Sequence, residues 1–80
     1  MHEIGLMTEI MSIVHSAAKD AGINSVEKIK VVIGKELMVF PDALQFAFSC
    51  LKRQPCTEFT ILEIESRHGL EFYVDYLEGD

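Results

Sequence analysis

The sequence predicts an α+β fold: a two-layer αβαββ domain with a three-stranded mixed sheet and two helices on one face. Three observations predict it. Apolar residues recur at helical spacing near the start and again after Pro41. Between and after these stretches the apolar period drops to two. Each alternating stretch has one apolar side and one mostly charged side, the pattern of a sheet covered on one face and wet on the other.

The first helix is expected from about Glu3 to Ala21. Met7, Ile10, Met11, Val14, Ala17, Ala18 and Ala21 keep the i, i+3, i+4, i+7 rule, and Gly22 is placed to end the helix in a left-handed turn. The first strand spans Lys28 to Ile33, with Ile29, Val31 and Ile33 on one side and Lys28, Lys30 and Val32 on the other; Gly34 ends it. Pro41 suits the first position of a second helix, and Asp42 favours the positive end of its dipole. Leu44, Ala47, Phe48 and Leu51 form its inward stripe, which Phe46 and Cys50 broaden, and Pro55 prevents continuation. In the second strand Thr60, Leu62 and Ile64 alternate with Ile61, Glu63 and Glu65. In the third, Leu70, Phe72, Val74 and Tyr76 alternate with Glu71, Tyr73, Asp75 and Leu77. The β-α-β unit makes the first two strands parallel. Ser66-Arg67-His68-Gly69 is short enough for a tight antiparallel hairpin with Gly69 at positive φ. The wet face then carries Lys28 and Lys30 against Glu63, Glu65, Glu71 and Asp75. Val32, Ile61 and Tyr73 form an apolar island there that could support a homodimer.

Length and charge exclude several functions. Eighty residues make one domain, spanning 1–80, with no room for a cleft between two lobes. A net charge of −6 gives no basic footprint for nucleic acid. No apolar run is long enough to cross a membrane, and the start does not read as an export signal. A cytoplasmic chain with two free thiols, Cys50 and Cys56, is expected. Cys50 reads as a small core residue and Cys56 as the more exposed of the two. His15 reads as partly buried and hydrogen-bonded, and His68 as a solvated turn residue. No nucleophile–base pair and no phosphate loop stands out, so an enzyme is not expected.

The chemistry concentrates in Met1, His2 and Glu3. With Met1 as the true terminus, its amine, the His2 backbone nitrogen and the His2 imidazole can close two fused chelate rings on one metal. Glu3 can add a fourth donor through its backbone nitrogen or its carboxylate. Nitrogen-rich tetragonal sites suit Ni(II) and Cu(II) alike. Protons compete for the same nitrogens, so binding weakens below about pH 6.

Met1-His2-Glu3, the leading amphipathic helix, the strand Lys28–Gly34 and the run Val39-Phe40-Pro41-Asp42-Ala43-Leu44-Gln45-Phe46-Ala47-Phe48, in this order and at these distances, resemble the HypA family of nickel-incorporation accessory proteins for [NiFe]-hydrogenase and, in some bacteria, urease. The resemblance implies a metallochaperone that binds Ni(II) transiently at Met1, His2 and Glu3. It also implies delivery of the metal, with a HypB-type GTPase, to the hydrogenase large subunit. One departure is large. The family inserts a zinc-binding domain with two C-x-x-C pairs between its last two long strands. Here that domain is absent between about 66 and 69, Cys50 and Cys56 do not match its ligands, and the family's structural zinc is not expected. A metal-free protein-interaction module that keeps the same fold is the alternative.

Overall fold

The computed structural model describes residues 3–80. Among these residues the chain forms helix α1 (Glu3–Ala21), strand β1 (Val26–Gly34), a short 3₁₀ turn (Lys35–Leu37), helix α2 (Pro41–Leu51), strand β2 (Cys56–Arg67) and strand β3 (Phe72–Gly79). This is the expected α+β order. The 3₁₀ turn is additional, and β1 and β2 each extend beyond their expected ends.

Local chemistry sets the boundaries. Gly22 adopts a φ of 70°, and the Ile23 and Gly22 amides donate back to the Ala18 and Lys19 carbonyls at 2.8 and 3.2 Å. That is the Schellman arrangement, which satisfies the last carbonyls of α1. Pro41 opens α2, where its missing N–H costs nothing. Gln45 Nε2 donates to the Leu62 carbonyl at 2.6 Å and ties α2 to β2.

The sheet order is β2-β1-β3, with β1 parallel to β2 and antiparallel to β3. The mixed sheet is as expected, but the tight β2–β3 hairpin is not. Among the described residues these two strands do not pair; each takes one edge of β1. The Ser66–Glu71 segment therefore crosses the end of β1. It is held there by Gly34 N–H to the Glu71 carbonyl at 2.6 Å, by Glu36 N–H to the Gly69 carbonyl at 3.0 Å, and by the Gly69 amide donating to the Glu36 carboxylate. A Cβ on Gly34 would collide with the Gly69 carbonyl and lie 2.7 Å from the Glu71 nitrogen. Gly69 has the expected positive φ, 105°.

Leu6, Met7, Ile10, Val14, Ile29, Val31, Leu44, Ala47, Phe48 and Leu62 join one core between the helices and the sheet. Three expectations fail at its margins. Phe46 is 69% exposed and Cys50 is exposed, so α2 buries a single stripe. The register of β3 slips between Lys30–Tyr76 and Val31–Val74, a bulge at Asp75 that reverses the alternation. Leu77 consequently packs on the core, while Tyr76 turns outward under the Lys28 ammonium, 5.8 Å from its ring centroid. Val32 lies on the outer face yet is fully buried, and Tyr73 is half-buried, which leaves only Ile61 of the proposed apolar island well exposed.

Candidate metal centre

Met1 and His2 lie outside the described residues. Glu3 is half-buried and opens α1, where a carboxylate complements the unpaired amides of the first turn. The Gly22–Ser25 connection reverses the chain between α1 and β1. Nineteen residues of helix and nine of strand both span about 28–30 Å. The start of α1 therefore returns to the end of the sheet where Gly34 meets the Gly69 loop.

The other histidines do not join Glu3 in a cluster. His15 is exposed, against the expectation of a partly buried histidine, because it falls outside the buried stripe of Met7, Met11, Val14 and Ala18. Twelve residues of helix place it about 18 Å from Glu3. His68 is exposed in the crossing segment, as expected. Among the described residues there is no group of three or more His, Cys, Asp or Glu able to hold a metal ion.

The cysteines reverse their expected roles. Cys50 is the exposed thiol and Cys56 the buried one, because Cys50 faces away from the single buried stripe of α2 whereas Cys56 opens β2 opposite Val26. Burial pushes the Cys56 thiol pKa up, with Thr60 beside it opposing the shift. A zinc site requires about four thiolate or imidazole donors, and a buried neutral thiol is a poor ligand. The residues present do not fit the family's structural zinc.

The outer sheet face carries ions in a continuous ladder. Lys28 Nζ lies 2.8 Å from Glu63, and Lys30 Nζ lies 3.0 Å from Glu63 and 3.2 Å from Glu65. Arg67 closes the ladder on Glu65, and its guanidinium donates to the Tyr73 hydroxyl at 3.3 Å. The lysine partners hold the Glu63 carboxyl below its ordinary value, and Arg67, followed by Lys30, does the same for Glu65. Glu71 and Asp75, expected on this face, stay outside the ladder: one precedes β3 and the other sits in its bulge. The alternation expected for β2 begins only at Thr60, whereas the strand begins at Cys56 with an irregular stretch. The register there jumps from Val26–Cys56 to Lys28–Ile61, so Thr57–Thr60 bulge outward opposite Glu27. The Thr-x-x-Thr spacing is the one sequence signal for this, since the two hydroxyls replace ladder hydrogen bonds.

These features define a class: a small two-layer α+β domain with two helices on one face of a three-stranded mixed sheet. A family model described as hydrogenase/urease nickel incorporation, metallochaperone, HypA, matches residues 1–72, and the chain belongs to that family. Similar proteins carry the name hydrogenase maturation factor HypA. The one from Moorella thermoacetica is 28% identical over 113 aligned positions covering all of both chains. The one from Lawsonia intracellularis is 40% identical over 65 residues, 81% of this chain and 55% of its own length. The one from Nostoc punctiforme is 38% identical over 63 residues, 79% of this chain and 49% of its own. The chain thus spans about half the length of the latter two relatives.

Proposed function

We propose that this chain is a nickel-binding metallochaperone domain that assists Ni(II) insertion during [NiFe]-hydrogenase or urease maturation. The match of the nickel-incorporation family over residues 1–72, which includes Met1-His2-Glu3, carries the reading. In it the Met1 amine, the His2 backbone and imidazole nitrogens and Glu3 hold the ion, and nickel is cargo rather than a resident cofactor. Glu3 supports this as far as the described residues go, since it lies half-buried in the first turn of α1 rather than in a closed core. Ligand exchange with an approaching protein suits such an open site better than a closed one. The domain is one unit without the zinc insertion. The 113-position alignment of an 80-residue chain needs gaps in this chain, which agrees with that reading. A HypB-type GTPase and the hydrogenase large subunit are the expected partners, in the cytoplasm, and the domain itself catalyses no reaction.

Calorimetric titration of Ni(II) into protein with a free Met1 amine tests this near neutral pH. One equivalent should bind, and His2→Ala or acetylation of the amine should abolish tight binding. Equal binding by all three samples would sink the proposal. No binding by the unaltered chain would favour the metal-free interaction module that keeps the same fold.

A further inference from the structure

A groove of about 540 Å³ runs across the start of β1, far from Glu3. One wall is the Thr57–Phe59 bulge of β2, the other is Asp80 beyond β3, and Glu27 lies between them. The groove has the size of a ligand site, although it is open rather than enclosed. Two properties set it apart from ordinary surface.

The first is apolar exposure. Phe59 and Ile61 line the groove and are 80% and 61% exposed. Phe59 is more exposed than any other large apolar side chain among the described residues. The bulge holds it there by specific bonds. Thr60 Oγ1 donates to the buried Val26 carbonyl at 2.6 Å and accepts from the Thr57 amide at 2.8 Å, while the Phe59 amide donates to Thr57 Oγ1 at 3.1 Å. A backbone fixed by three hydrogen bonds so as to present a phenyl ring to water is a preorganised contact.

The second is charge. Glu27, Glu58 and Asp80 line the groove, and none of the described residues lining it is Lys or Arg. Two neighbouring cations are already engaged: Lys28 with Glu63 and Tyr76, and Lys52, which lies over the Phe48 ring with its Nζ 3.5 Å from the Glu58 backbone carbonyl at the groove's edge and leaves the Glu58 carboxylate without a salt bridge among the described residues. Apolar Phe59 and Ile61 set among three carboxylates complement an apolar side chain flanked by cations. It repels a second copy of a chain whose own net charge is −6.

We propose that this groove docks an extended segment of a protein partner carrying one large apolar side chain flanked by Lys or Arg. The inference rests on the groove and is independent of nickel binding. It also has a spatial consequence. The groove sits by the C-terminal end of α1 and Glu3 at the other end, about 28 Å away along the helix. A partner held in the groove leaves the start of α1 open, so tethering and metal exchange can occur together.

The test is NMR titration of the full ¹⁵N-labelled chain with the synthetic peptide acetyl-Arg-Lys-Gly-Phe-Arg-Lys-amide, with its Glu-for-Arg/Lys counterpart as control. The basic peptide should shift amides of residues 25–27, 57–61 and 80, weaken as salt is raised, and leave residues 3–11 unmoved. Phe59→Ala and E58K should each weaken binding at least about fivefold. Ile13→Ala, which removes an exposed apolar group on α1, should not. The spectrum of each variant reports whether it is folded. No shifts, shifts spread over the acidic surface, equal binding of the acidic peptide, or shifts produced by self-association alone would each overturn the proposal.

Discussion

At the residue scale, the two cysteines show how a single angular position on a helix decides chemistry. Cys50 lies two residues from Phe48 but on the other side of α2, and it meets solvent. Cys56 is enclosed beside Thr60, and burial favours its neutral form. A thiol reagent should therefore modify Cys50 rapidly and Cys56 only on unfolding. Cys50→Ser should change stability by less than about 0.5 kcal/mol, as an exposed substitution does. Cys56→Ser places a more polar hydroxyl in an enclosed site and should cost about 1–3 kcal/mol in urea unfolding. Equal labelling rates in the native protein would contradict the placement. The two positions were legible as thiols in the sequence, but their roles came out reversed. Periodicity over an 11-residue helix leaves a flanking position ambiguous until the sheet beneath it is located.

At the element scale, the ladder Lys28–Glu63–Lys30–Glu65–Arg67 depends on β1 and β2 being adjacent and in register, Lys30 standing opposite Glu63 and Val32 opposite Glu65. Its effect on stability has a definite sign. Glu63 and Glu65 titrate below their ordinary 4.5 in the fold, so their contribution is present above that pH and is lost as pH falls through the lowered values. Cys56 titrates above its ordinary 9.0, so its contribution is present below that pH and is lost as pH rises. Stability should thus be flat between about pH 5 and 9 and fall on both sides. Glu63 also raises the Lys28 and Lys30 pKa above their ordinary 10.5. Glu63→Gln should therefore flatten the acid limb and the part of the alkaline limb above about pH 10.5, leaving the Cys56 part between, as followed by thermal unfolding at a series of pH values. An acid limb identical in the variant would exclude the ladder as its cause. The charged residues were visible as an alternating wet face. Asp75 and Tyr76 were misplaced because a β-bulge depends on the partner strand, which period-two reading of one strand cannot detect.

At the scale of the whole molecule, β1 is the hub. It touches both other strands, and Ile29 at its middle is fully buried. A domain of this length has on the order of 4–12 kcal/mol of stability. Ile29→Ala should remove about 2–5 kcal/mol of it. That lowers Tm by roughly 10 °C or more at 4–8 °C per kcal/mol. Gly34→Ala acts through topology instead. Its methyl group has nowhere to go under the segment that carries the chain from β2 to β3, so the crossing must lift. The amides of Gly34, Glu36 and Gly69 should then lose their protection from hydrogen exchange, while Ile29 and Leu62 keep theirs. Unchanged protection at those three amides would refute the close crossing.

Sequence alone determined the element order, the helix starts at Glu3 and Pro41, the stop at Gly22 and the inward faces of β1 and β2. Each arises from local periodicity or from backbone chemistry confined to a few neighbouring residues. The donor types of Met1-His2-Glu3 are likewise covalent facts of adjacent residues, and the sequence alone carries the proposal that they join in one site. Only the tertiary structure decided that β1 separates β2 from β3, that Gly34 must lack a side chain, that Cys56 rather than Cys50 is buried, and that Phe59 is held in solvent beside three carboxylates. Those outcomes depend on which distant segments meet. Strand neighbours, bulges and the crossing of one segment over another are long-range choices that no window of sequence contains.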